Sequence, residues 1–105
     1  MNTFQEEAQN MVSQIIQKFH PQKIIAFGSF ARGDFNEDSD LDLCIIRENL
    51  PTLPIERKFQ IYSLLEHRKI PVDVVMYQPE EFKKRVSLGD PFVKNILTQG
   101  KVLYG

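Results

Sequence analysis

Gly28-Ser29-Phe30-Ala31-Arg32-Gly33-Asp34-Phe35-Asn36-Glu37-Asp38-Ser39-Asp40-Leu41-Asp42-Leu43 is the stretch whose reading decides the fold. It starts with a small-residue turn after the apolar run Lys23-Ile24-Ile25-Ala26-Phe27 and ends with two aspartates set into a second apolar run. A short β-rich run that stops at glycine reads as a buried strand meeting a tight turn. Phe30 to Gly33 then reads as a short helical turn, Asp34 to Ser39 as a polar loop, and Asp40 to Ile46 as a returning strand. Along that strand Asp40, Asp42 and Cys44 share one face, and Leu41, Leu43 and Ile45 share the other.

Upstream, Phe4, Ala8, Met11, Val12, Ile15, Ile16 and Phe19 recur at helical spacing, and Thr3 with Glu6 three residues later has the form of a capping box. The spacing predicts an amphipathic helix over 4–19, stopped by His20-Pro21 because a residue before proline avoids the helical region. Downstream, Arg47 to Leu53 reads as a loop. Pro54 suits the first helical position, and Ile55, Phe59, Tyr62 and Leu65 predict the inward face of a helix that runs to about His67. Arg68 and Lys69 then sit where a helix C-terminus favours cations. Pro71 ends that pattern, and Val72-Asp73-Val74-Val75-Met76-Tyr77 reads as a third strand with one acid embedded in it. Pro79-Glu80-Glu81-Phe82 starts another helix. After Gly89, Pro91 to Thr98 forms a further short helix closed by Gly100, and Lys101 to Tyr104 a last short strand. The order implies an α/β (α+β) fold, a small mixed β-sheet with helices packed mainly on one side. Residues 1–105 form a single domain in this reading.

The bulk numbers agree with one minimal unit. A chain of 105 residues builds a single core, and 42% apolar with 26% charged residues is ordinary for a soluble globular protein. A net charge of −1 argues against a general nucleic-acid binder, so no direct nucleic-acid binding is expected. The N-terminal residues lack a cationic lead and an apolar signal core, and no run approaches the ~18 residues that span a bilayer, so a cytoplasmic protein without membrane attachment is expected. Cys44 is the only cysteine, which excludes an internal disulfide and a zinc cluster and predicts a small buried hydrophobe.

Aspartate is disfavoured in strands, yet three acids here lie in two of the most apolar runs. Asp40 and Asp42 point the same way with Cα atoms about 6.5–7 Å apart by strand rise. Flexing carboxylates bring their charges to ~4 Å, where repulsion at an effective dielectric near 20 is roughly 4 kcal/mol before screening. A divalent cation offsets that directly; raised pKa values or basic neighbours are the alternatives. Asp73, on another strand, could bring a third carboxylate to the same place. An all-oxygen set with few ligands suits Mg²⁺ or Mn²⁺, with phosphates and water completing the coordination. Gly28 and Ser29 offer a close backbone approach, N–H groups and a hydroxyl to a phosphate, and Arg32 adds a planar cation whose other candidate partners are Asp34 and Asp38.

Gly28-Ser29, ten intervening residues and Asp40-Leu41-Asp42 resemble the signature of the polymerase-β-like nucleotidyltransferase superfamily. Gly-Ser-Phe-Ala-Arg-Gly-Asp followed by Ser-Asp-Leu-Asp-Leu is similar to its minimal nucleotidyltransferase branch, the small antitoxin partners of HEPN-domain toxins. The resemblance implies phosphate binding at Gly28 and Ser29, metal binding at Asp40 and Asp42, and a third acid at Asp73 that helps the metals or activates the acceptor. It further implies Mg²⁺-dependent transfer of AMP from ATP to a tyrosine hydroxyl of a HEPN RNase toxin, and a hetero-oligomer with that partner. Two other functions fit the same residues: a nucleotidyltransferase acting on a small molecule such as an antibiotic, and a noncatalytic antitoxin that works by binding. Each residue also has a plain structural reading, the aspartates as solvating strand residues, Gly28 as an ordinary turn and Arg32 as a surface cation. Tyr62, Tyr77 and Tyr104 read as packing residues.

Overall fold

Thr3 opens the first helix with the expected reciprocal cap: its hydroxyl accepts from the Glu6 N–H at 3.2 Å, and the Glu6 carboxylate accepts from the Thr3 N–H at 3.4 Å. The helix that follows, α1, spans Phe4–Phe19 and ends at His20 in the left-handed region, φ 54°. A computed structural model of the chain describes residues 3–105. Met1 and Asn2, the first residues of the expected 1–105 domain, lie outside the described residues.

The remaining elements are β1 (Lys23–Phe27), α2 (Gly28–Arg32), β2 (Leu41–Ile46), α3 (Pro54–Leu64), β3 (Val72–Tyr77), α4 (Pro79–Ser87), α5 (Pro91–Gln99) and β4 (Lys101–Tyr104). The strands form one sheet in the order β3-β2-β1-β4. β1 runs antiparallel to β2 and β4, whereas β2 and β3 are parallel and joined by the crossover through α3, which makes the sheet mixed.

Alternation along the strands splits the core into two layers. Ile24 and Ala26, Leu41, Leu43 and Ile45, Val74 and Met76 face α1 and α3, where Phe4, Met11, Ile15 and Ile61 are buried against them. Ile25, Cys44 and Ile46 face the other way and pack with Phe82, Val93 and Ile96 of α4 and α5. The expected one-sided cover holds for the larger helices, and α4 and α5 add a smaller layer on the second face. Cys44 is fully buried there, and burial pushes its thiol up to about 12.

α3 departs from its sequence reading in two ways. It ends at Leu64 rather than near His67, because α1 captures the following backbone: Gln14 accepts from the Glu66 N–H at 2.8 Å, and Lys18 Nζ donates to the Leu64 carbonyl at 3.2 Å. Its inward face is also different. Arg57 and Ile61 are buried, while Ile55 and Phe59 are 57% and 63% exposed. The rotation follows from Arg57, whose guanidinium donates to the Pro51 carbonyl at 2.6 Å, to the Met76 carbonyl at 2.9 Å, and to both oxygens of Glu81 at 2.9 and 3.1 Å. A buried charge so fully bonded holds its place against two apolar side chains. Among the described residues no helix is long and apolar enough to cross a membrane.

Candidate active site

Register brings the first two acids of the site together. In the parallel β2/β3 pair Asp42 stands opposite Asp73, and in the antiparallel β1/β2 pair it stands opposite Phe27, the last residue of β1. Alternation places Asp42 on the face of Cys44 and Ile46, and Asp73 on the face of Val75 and Tyr77. α4 and α5 cover this face from Cys44 and Ile46 to Phe27, where Phe92 of α5 packs edge-on at 5.5 Å between ring centroids, so the end that carries the acids is open on the Asp73 side. Asp42 is half-buried and Asp73 exposed. Asp40 is exposed and sits just before β2, which starts at Leu41.

The turn after β1 closes directly on Asp42. Gly28 has φ 71°, and a Cβ added there would overlap the Asp42 carboxylate at Oδ2. Both observations require glycine: L-residues with a side chain avoid this conformation, and the carboxylate occupies the space a methyl would need. α2 begins at once, with Phe27 as an N-cap that offers no side-chain acceptor. Gly33, φ 81°, ends it by donating to the Ser29 carbonyl at 3.0 Å, and the Asp34 N–H donates to the same oxygen at 3.2 Å. The loop to β2 is folded on itself. Asn36 Oδ1 accepts from the Asp38 N–H at 2.8 Å, and the Ser39 hydroxyl accepts from the Asn36 N–H at 2.9 Å.

Aromatic contacts fix this loop to the core. Phe30 lies 6.0 Å and Phe35 5.3 Å from Phe4 between ring centroids, and the two lie 5.1 Å from each other. The sequence reading assigned no function to Phe30 and Phe35. Their signal was visible as two apolar residues five apart in an otherwise polar stretch.

Charge is concentrated at the open end. Burial first, then the carboxylates of Asp73 and Asp40, raise the Asp42 pKa above its ordinary value, while Arg32 opposes them. Arg32 itself pairs through Nε with Asp34 Oδ2 at 3.2 Å, one of its two alternative partners. Asp73 is held by a residue that sequence reasoning missed: Lys58 Nζ donates to Asp73 Oδ1 at 3.1 Å. Lys58 belongs to α3, which packs on the opposite face of the sheet, so its side chain reaches around the edge of β3. In the sequence it reads as one cation of a solvent-facing helix stripe, and only the fold places it beside an acid of β3. Among the described residues no group of three His, Cys, Asp or Glu side chains stands ready-made around a metal position. Asp40, Asp42 and Asp73 offer only carboxylate oxygens, the donor type that suits a hard divalent cation, and a cation would relieve the repulsion felt at Asp42.

Comparison with known proteins bears on this arrangement. Residues 9–104 match the model of the family described as nucleotidyltransferase domain. The chain is 33% identical over 86 residues to the Methanocaldococcus jannaschii protein named "Putative protein adenylyltransferase MJ0604", covering 79% of this chain and 78% of that protein. It is 29% identical over 105 residues to "Putative protein adenylyltransferase MJ1305" of the same organism, covering 90% and 70%. Its fold is similar to that of a chain in a crystal structure of a toxin-antitoxin with AMP-PNP, with a TM-score of 0.64 and 23% identity over 92% of this chain and 73% of that one. A structure from Sulfolobus solfataricus named "putative nucleotidyltransferase" matches with a TM-score of 0.54 and 21% identity over 75% of this chain and 70% of that one. With the matched region running from α1 to β4, and the acids, glycine turn and mixed sheet all inside it, this chain belongs to the nucleotidyltransferase domain family.

Proposed function

We propose that this nucleotidyltransferase is an antitoxin-type protein adenylyltransferase that moves AMP from ATP to a tyrosine hydroxyl of a HEPN-domain RNase toxin, neutralising it within a hetero-oligomer. The observation that carries the reading is the placement of Asp42 between Asp73, its register partner, and Gly28, whose missing side chain lets the turn close on the carboxylate. Relatives named as protein adenylyltransferases, and a fold neighbour from a toxin-antitoxin crystal with AMP-PNP, support the choice of acceptor class and nucleotide.

We assign the roles as follows. Asp40 and Asp42 would hold Mg²⁺, with Mn²⁺ as a substitute, and Asp73 would complete the acidic set. When bound, the cation supplies charge neutralisation for the triphosphate and the leaving pyrophosphate. Gly28 and Ser29 receive a phosphate on the turn, and Arg32 adds positive charge beside it. Asp73, at the exposed side of the pair, orients the acceptor hydroxyl and takes its proton. The acceptor oxygen forms a bond to the α-phosphorus as the bond to the β-phosphate bridging oxygen breaks, and pyrophosphate leaves with the electron pair.

Intact mass spectrometry of a HEPN-domain partner after incubation with ATP and Mg²⁺ tests the proposal. A gain of ~329 Da for each AMP is expected from the chemistry of the transfer, and its loss with Asp40→Asn plus Asp42→Asn is expected while the variant stays folded. Undiminished neutralisation by that variant, with no mass gain on the partner, would establish inhibition by binding alone.

A further inference from the structure

β3 is an edge strand, and its outer side is an open groove of about 600 Å³ between α3 and α4. The carbonyls of Pro71 and Tyr77 accept from Leu41 and Arg47, so odd-numbered residues turn their backbone groups to β2. The alternation turns those of Val72, Val74 and Met76 outward. Two of the outward carbonyls are already capped from α3, Val72 by the Tyr62 hydroxyl at 3.4 Å and Met76 by Arg57 at 2.9 Å. Between them Val74 is fully buried, so this edge of β3 is sealed and the groove is offered by side chains.

The walls have a definite sign. Lys58, Lys84 and Arg85 line the groove together with Arg57, whereas Glu81 is its one acidic lining residue and is consumed by Arg57. Arg85 meets Asp90 only at 3.9 Å. The rim is apolar where Leu88, 66% exposed, stands on one side, and Ile55 and Phe59 stand exposed on the outer face of α3. Lys58, one of the lining residues, also bonds Asp73 through its ammonium, which ties the groove to the proposed acceptor side of the site.

Resting on the protein-acceptor reading above, we infer that this groove docks an extended acidic segment of the acceptor protein. The segment lies along the groove over the sealed edge of β3, sets its carboxylates on Lys84 and Arg85, covers Leu88 with an apolar side chain, and delivers the hydroxyl past Lys58 to Asp73. A nucleic acid suits the groove less well. It would leave the exposed Leu88 on the rim uncovered.

The test uses the whole chain and fluorescein-labelled random copolymers of glutamate and tyrosine, of lysine and tyrosine, and oligouridylate, with binding read by anisotropy without ATP. The glutamate-tyrosine copolymer is expected to bind best, and less well as salt rises. Lys84→Glu with Arg85→Glu is expected to weaken it by at least about fivefold, and Lys84→Gln with Arg85→Gln by about two- to threefold, the milder pair guarding against damage to the last turn of α4. Lys94→Glu with Lys101→Glu, on α5 and at the opposite sheet edge, is expected to leave it unchanged. An equal loss in this control pair, no loss in either α4 pair, or tighter binding of oligouridylate overturns the inference. Because ATP is absent, failure here leaves adenylyl transfer standing. A groove that binds while no partner gains AMP sinks the transfer alone.

Discussion

Replacing Asp42 with asparagine should stabilise the metal-free protein. Asp42 stands opposite Asp73 on the neighbouring strand, and strands lie about 4.8 Å apart, so two unit charges at about 5 Å repel by about 3 kcal/mol at an effective dielectric near 20. Solvent around the exposed Asp73 and the Lys58 ammonium 3.1 Å from it screen most of this, leaving about 1 kcal/mol. Asparagine keeps the shape and removes the charge, and among the described residues no hydrogen bond to the carboxylate is lost with it. For a domain of this size about 1 kcal/mol corresponds to a rise in Tm of about 4–8 °C. The sign with pH is fixed by linkage. A carboxyl whose folded pKa is raised leaves stability intact below its ordinary value of 3.8 and costs stability as pH climbs through the raised value. Thermal melts in EDTA should therefore separate the two proteins at pH 7 and bring them together at about pH 3. With Mg²⁺ and ATP added, the parent's Tm should rise and the variant's should not. An asparagine variant no more stable than the parent at pH 7 in EDTA would refute the charge crowding on which the metal assignment rests.

Gly28→Ala should lose ATP uptake in calorimetry and about 1–2 kcal/mol of stability in denaturant melts, since alanine is strained at φ 71° and its methyl displaces the Asp42 carboxylate. Arg57→Ala should cost about 2–4 kcal/mol in urea unfolding, because it strands the Met76 and Pro51 carbonyls and takes from Glu81 its cationic partner. The hydrogen bonds from Arg57 hold the Glu81 carboxyl below its ordinary value of 4.5, so their stabilisation is present above that pH and is lost as pH falls through the lowered value. Glu81→Gln should accordingly flatten the acid limb of a Tm-versus-pH curve. Cys44, buried with its thiol pushed up to about 12, should react with an aromatic disulfide reagent at pH 8 only at the rate of global opening, and at full rate in urea.

Much of the fold was legible because local chemistry and packing agree there. The capping box at Thr3, the stop at His20-Pro21, the run Val72–Tyr77 and the prolines at 54, 79 and 91 each specify an element that forms where they place it. α3 shows where such reading ends. Its apolar residues Ile55 and Phe59 outvote one arginine in any periodicity count, but Arg57 reaches two carbonyls and a carboxylate that belong to segments 6, 19 and 24 residues away. A bond network of that reach leaves no trace in local spacing. Lys58 is hidden for the same reason, since its partner lies 15 residues on and across a sheet edge. The pairing of Asp42 with Asp73 was legible only as two acids in two strands; that the strands are neighbours, parallel and in this register is fixed by the crossover.

Departures from ordinary sequence preference gather at one end of the sheet. Aspartates occupy strand positions on β2 and β3, a glycine with positive φ closes β1, and α2 starts without a side-chain cap. Each lowers stability by itself, and all of them surround the Asp42 carboxylate. Departures occur elsewhere too, since α3 starts without a side-chain cap and His20, Asn49 and His67 have positive φ, but those stand singly. At the Asp42 end they coincide around one carboxylate, which is expected where a bound cation and triphosphate, rather than folding, set the choice of residue.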